Sequence, residues 1–306
     1  MASKHQITAA SLLLITTSIF SDVFADNWTN SNDIKTTFIS YQGDTTRNNL
    51  TDVGINHQTH YLDKFSLLFG YNYTKLNTSQ RANIDSSIAG NVDRNVQQRQ
   101  LTVGANWFQY SDFINGRVGW HIKNYSLFTP ASTIANVYNG GLSYLNYQNT
   151  LYLDALFTQS QYTNSQTSDN TVNQANLSIE FSPGLKSSWL SVQLVAIDNS
   201  DNFLFDSTLY SANVEWTQYL SRTGFPIPMS LVIGSQIGEQ RYLVLHRLDS
   251  INNNPDAQYS SNWIYANWQI NDNSQLSLSV VASEHQSDLQ EKYDSLYSSI
   301  LLNIKW

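Results

Sequence analysis

The feature that constrains this chain most is a two-residue alternation of apolar and polar side chains, recurring from about residue 34 to the last residue. "QLTVGANW" sets Leu101, Val103, Ala105 and Trp107 against Thr102, Gly104 and Asn106. "NQANLSIEF" sets Ala175, Leu177, Ile179 and Phe181 against Gln174, Asn176, Ser178 and Glu180. "QLSLSVVA" does the same with Leu276, Leu278, Val280 and Ala282. Successive side chains of a strand point to opposite faces, so each run predicts a strand with one apolar and one wet face. No helical period competes over a useful length. Segmentation predicts strands near 34–42, 49–61, 65–76, 96–109, 116–125, 135–147, 150–160, 171–182, 188–198, 207–220, 229–246, 258–270, 274–286 and 293–306. That is about fourteen, with twelve or sixteen also compatible because 229–246 is long enough to hold a break.

The connections between these runs sort by length. Counted back from the C-terminus, every second one is short and rich in turn residues, as in "NDN", "SPGLKS", "YQN", "SDFING" and "LDK". Those between are mostly longer and polar, the longest near 77–95. An even number of strands, tight turns at one end and longer loops at the other fit a transmembrane barrel, whereas a soluble sandwich has no reason to sort its loops. Most runs reach the 9–11 residues or so that a tilted strand needs to cross a bilayer. A spanning sheet must also close, because an open edge would leave backbone groups unsatisfied in lipid. The expected fold is therefore all-β: a single transmembrane antiparallel up-and-down β-barrel.

The end of the chain, "SLYSSILLNIKW", carries Leu296, Ile300, Leu302, Ile304 and the terminal Trp306 on one face, with Ser298 as the polar exception. Here the sequence resembles the bacterial outer-membrane β-barrels, the porin-like superfamily. In that family such a strand, ending in Phe or Trp, is the signal read by the barrel-assembly machinery. The resemblance implies the outer membrane of a Gram-negative cell, contact with outer-membrane lipid and lipopolysaccharide, and a terminal strand that closes the barrel. It covers the chain as architecture and does not specify a subfamily.

Other classes recede on composition. A net charge of −8 disfavours nucleic acid and supplies no basic patch. Cysteine is absent, which excludes disulfides, haem thioethers and thiolate metal sites. Residues 1–25 read as a signal peptide: Lys4, then the apolar "ITAASLLLITTSIF", then "VFA" before a cut after Ala25. Residues 26–306 would be the barrel domain.

If the apolar set faces lipid, the opposite set lines the lumen. It is mostly Asn, Gln, Ser, Thr, Tyr and Gly, a wall suited to water and neutral polar solutes. Arg117, His121 and Lys123 share one face of one strand, while Asp154, Glu180 and Glu215 fall inward on later strands. Opposed, the two sets would create a transverse field; otherwise they are solvated charges. Tyr152, Tyr219, Trp263, Tyr265 and Tyr297 are inward aromatics, fit either to stack sugar rings or to sit in the interfacial belt. The 77–95 connection is the expected constriction.

The expected function is a passive diffusion channel for small polar solutes, sugars among them. The alternatives are export, adhesion or a hydrolase at the rim. For the last, "HQTH" sends His57 and His60 to opposite faces, so they form no metal pair, and no GxSxG motif occurs. Only His246 or His285 beside Glu239 or Glu284 could supply rim acid–base chemistry. The sequence demands no cofactor and no metal.

Overall fold

The computed structural model describes residues 28–44, 47–62, 64–81, 91–110, 114–127, 132–146, 148–164, 170–183, 187–199, 208–220, 227–241, 243–245, 250–251, 257–286 and 291–306. Within these, the side chains of 47, 78–81, 91–98, 100, 108–110, 114–127, 132–135, 164, 244–245 and 250–251 are not described. The expected signal peptide, residues 1–25, lies outside the described residues.

The strands are β1 (Trp28–Gln42), β2 (Arg47–Tyr61), β3 (Phe65–Arg81), β4 (Asn91–Tyr110), β5 (Ile114–Leu127), β6 (Ser132–Leu145), β7 (Leu151–Asn164) and β8 (Asn170–Phe181). They continue as β9 (Ser188–Asn199), β10 (Thr208–Tyr219), β11 (Ser230–Gln240), β12 (Val244–Leu245), β13 (Ser250–Ile251), β14 (Ala257–Asn271), β15 (Ser274–Gln286) and β16 (Lys292–Lys305). Fourteen of them form one closed antiparallel barrel in which each pairs with its sequence neighbours. The exceptions, β12 and β13, pair only with each other, inside the connection from β11 to β14. Thus 229–246 does hold a break, and the strand count stays at fourteen because the piece beyond the break leaves the wall.

Closure is made by the terminal strand. β16 pairs along β1 with Ile34 opposite Leu302 and Thr36 opposite Ile300. Asn30 and Trp306 exchange backbone hydrogen bonds of 3.2 and 3.1 Å, so the ladder runs to the last residue. Both strands then have partners on each side and the sheet has no edge, which removes the aggregation hazard of an open β-sheet. Fourteen strands at about 4.8 Å spacing and about 40° tilt give a backbone radius of about 14 Å, too wide for opposing side chains to fill.

Alternation becomes radial order. Ile34, Phe38, Phe69, Leu101, Leu142, Phe157, Leu194, Ile233, Ile264, Val280 and Ile300 all lie exposed on the outer surface. The matching inner positions are polar and paired: Gln193 Nε2 donates to Ser178 Oγ (3.1 Å), Asn213 Nδ2 to Gln193 Oε1 (2.9 Å) and Gln258 Nε2 to Gln236 Oε1 (2.6 Å). Soluble proteins do not wrap a continuous apolar band round a polar interior. Aromatics gather on the outer surface toward the end with tight turns. Trp28 tilts on Tyr61 with ring centroids 5.0 Å apart, and Trp306 stacks on His57 at 6.1 Å.

One expectation is corrected here. The 77–95 stretch is not a long loop: β3 runs to Arg81, β4 starts at Asn91, and the two stay in register from Asn77↔Asn95 to Arg81↔Asn91. "NVDRNVQQRQ" has few apolar residues to alternate with polar ones. A paired ladder that projects beyond an apolar band needs no greasy face, so periodicity cannot see it.

Candidate solute pathway

Register gives the lumen wall its order. One row of inward residues runs across the strands as Tyr152–Glu180–Ser191–Glu215–Gly234–Trp263–Val281–Tyr297. It starts near the tight-turn end of β7 and reaches the middle of β16. Tilted strands make any hydrogen-bonded row climb the wall of a barrel, so this one is a ramp, with acidic and aromatic residues along it.

At the foot of the ramp is a cavity of about 400 Å³, lined by Leu145, Tyr152, Glu180, Trp189, Ser191, Glu215, Thr217 and Tyr219. Glu180 and Glu215 each lie opposite Ser191, from its two sides. Their backbones are therefore two strand spacings apart, about 10 Å.

Gly234 holds the next step. A Cβ there would overlap the Trp263 indole, so the ring lies against the wall where that side chain would stand. From this position Trp263 Nε1 donates to Glu215 Oε2 at 3.2 Å. Asn72 and Asn56 use Gly54 and Gly70 in the same way on β2 and β3. Higher on the ramp, Lys35 Nζ stands 5.6 Å from the centroid of the Tyr297 ring, within cation–π range.

Toward the other end the lumen changes character. Tyr162, Val172, Val195, Ile197 and Leu209 face inward and are buried together with Leu243, which lies just beyond β11. The strand breaks at a bulge: Gly238 adopts φ +100°, and the β11–β14 register shifts between Ile237 and Gln240. A Cβ on Gly238 would strike the Tyr210 carbonyl and the Ser211 backbone, so this conformation suits glycine. Gln240 Nε2 donates to Ser211 Oγ (2.6 Å), and the buried Arg241 pairs through Nε with Glu239 Oε1 at 3.0 Å. The segment after β11 is thereby tied to the inner wall.

The residues singled out from the sequence distribute as follows. Tyr152, Glu180, Glu215 and Tyr219 meet in the cavity, and Trp263 is bonded to Glu215. Tyr265 lies on the next row, opposite Val232 and Ser279. Asp154 lies one row above Tyr152, opposite Ser143 and Ser178. Leu296 and Ile300 are exposed outside, and Leu302 and Ile304 share their row opposite Ile34 and Asn32. Arg117, His121 and Lys123 pair through their backbones with Gly141, Val137 and Ala135, and their side chains lie outside the described ones. β5 stands two, three and five strands from β7, β8 and β10, and seven from β14. The acidic residues thus stand on strands two to five places from β5, in a ring where seven places is diametrically opposite. His285 turns inward, stacked on Tyr293 (4.9 Å) and bonded to Ser295 Oγ (2.9 Å). Glu284 is exposed on the opposite face, and Glu239 pairs with Arg241. His246 lies outside the described residues.

Trp189, Arg241, Leu243 and Lys35 were not expected. Trp189 was legible, since it shares odd numbering with the inward Ser191 and Gln193. Nothing in the run 229–246 marks Leu243 as leaving the wall.

No protein-family model matches the chain, and no curated protein matches it in sequence. Its fold does have solved counterparts. A deletion mutant of the monoaromatic hydrocarbon channel TodX superposes with a TM-score of 0.54 at 10% identity, over 92% of this chain and 91% of that one. A bacterial polysaccharide outer membrane secretin gives 0.53 at 10% identity, over 92% and 100%. A Pseudomonas aeruginosa FadL homologue gives 0.51 at 9% identity, over 92% and 91%. With a closed ladder, an apolar outer band and a polar lumen, this chain shares the barrel fold of these outer-membrane proteins.

Proposed function

We propose that the chain is an outer-membrane channel through which small polar solutes, sugars among them, diffuse passively. The observation that supports this most is the cavity of about 400 Å³ opening inside a closed ring of fourteen strands whose inner wall is polar. In this reading the tight-turn end lies at the periplasm, the outer band meets lipid and lipopolysaccharide, and the assembly machinery reads Leu296, Ile300, Leu302, Ile304 and Trp306. The ramp gives a solute both aromatic and hydrogen-bonding stations, and such weak multiple contacts favour entry without trapping. The test is planar-bilayer conductance of refolded, heat-modifiable protein. Discrete steps that scale with salt, transiently blocked by added sugars, are expected. Folded protein that inserts but never conducts overturns the reading.

A second reading draws on the apolar inner cluster around Ile197 and Leu243. Such a surface suits an apolar solute, as in the hydrocarbon channel that shares the fold. Liposomes carrying the protein separate the two: the first reading expects swelling in sugars, the second faster toluene entry without it.

A further inference from the structure

The periplasmic cavity has a composition that plain diffusion does not require. Its described lining carries two carboxylates, Glu180 and Glu215, and three aromatics, Tyr152, Trp189 and Tyr219, with no Lys, Arg or His. We infer that this vestibule is a binding site for small organic cations, the alkylammonium group lying between Glu180 and Glu215 and against the aromatic rings. The inference rests on the channel reading only in placing the vestibule on a solute path.

Three features converge on that ligand. The backbones of Glu180 and Glu215 stand about 10 Å apart on either side of Ser191, and both carboxylates line the one cavity, which leaves a cationic head access to both. Trp263, anchored over Gly234, donates to Glu215 from the far side and holds that carboxylate at the edge of the cavity. The aromatic rings add the negative π-faces that attract weakly hydrated cations such as quaternary ammonium groups. A sodium ion keeps its water and gains little from such walls. A neutral sugar can stack on the same rings, yet draws nothing from the charge of the two carboxylates. Ser191 and Thr217 supply hydroxyl oxygens for the N–H groups of primary amines.

The experiment is isothermal titration of the folded, detergent-solubilised barrel with choline chloride, with sodium chloride at matched ionic strength and glucose as comparators. Saturable choline binding is expected, weakened roughly tenfold in Glu180→Gln and in Glu215→Gln, with no saturable heat from sodium or glucose. Tyr219→Leu, at the mouth, gives a milder loss and serves if either glutamine variant fails to show heat-modifiable migration. No choline binding, unchanged binding in the variants, or glucose binding of equal strength overturns the proposal. The titration needs no conductance. A barrel that binds choline but never conducts would refute the channel and keep the site, and a conducting barrel blind to choline would do the reverse.

Discussion

Gly234 leaves room for an indole. Trp263 occupies the space a side chain would take, and the Nε1–Glu215 bond fixes both groups to the wall. Gly234→Val should push the ring into the lumen while the barrel still folds, because the obstructing atoms belong to a side chain that can swing away. A hydrogen bond to a charged group is worth about 1.5–3 kcal/mol when buried, and less in a wet lumen. The expected result is a loss of about 1 kcal/mol in urea unfolding and a smaller single-channel conductance, restored in the Gly234→Val/Trp263→Ala pair. Equal conductance in Gly234→Val and parent would mean that the indole does not lie on the wall.

Among the elements, the connection from β11 to β14 behaves unlike the others. The Gly238 bulge ends the strand early, and Arg241 and Leu243 then turn against the inner wall. Leu243 seals the apolar cluster, and burying such a side chain contributes about 1.5–3 kcal/mol. That energy holds the segment, not the barrel, because the ladder around it is complete without β12 and β13. Leu243→Ser should therefore raise conductance and open the chain at Arg241 to trypsin, leaving the global unfolding midpoint nearly unchanged. A variant with parental conductance and protease resistance would show that the segment does not narrow the pore.

For the molecule as a whole, the decisive property is that its two faces differ in polarity. Ile300 is exposed on the outer band, and its neighbour Ser299 faces the lumen, bonded to Ser279 at 2.6 Å. Ile300→Arg should destabilise the barrel by about 2–4 kcal/mol in liposomes if it sits near the bilayer midplane, whereas Ser299→Arg should cost under about 1 kcal/mol and alter ion preference instead. Reversible urea unfolding in lipid measures both. Similar costs at the two positions would refute the assignment of faces.

The sequence by itself determined where most strands run, which face their side chains take and that about fourteen of them close a barrel. All three follow from a strict two-residue period and from the backbone's need for partners in lipid. It placed Tyr152, Glu180 and Glu215 inward one strand at a time, but could not bring them together. That depends on inter-strand register and barrel shear, which set Glu180 and Glu215 on either side of Ser191 and leave Asp154 one row above. Where the sequence is polar at successive positions, as along β3 and β4 beyond Asn77, periodicity falls silent and only the backbone ladder reveals the strand. The inward turn after Gly238 was hidden for the opposite reason. "YLVLH" is apolar enough to read as more strand, and only the enclosed lumen, offering Val195, Ile197 and Leu209 as partners, decides that Leu243 turns into the pore instead of extending the wall.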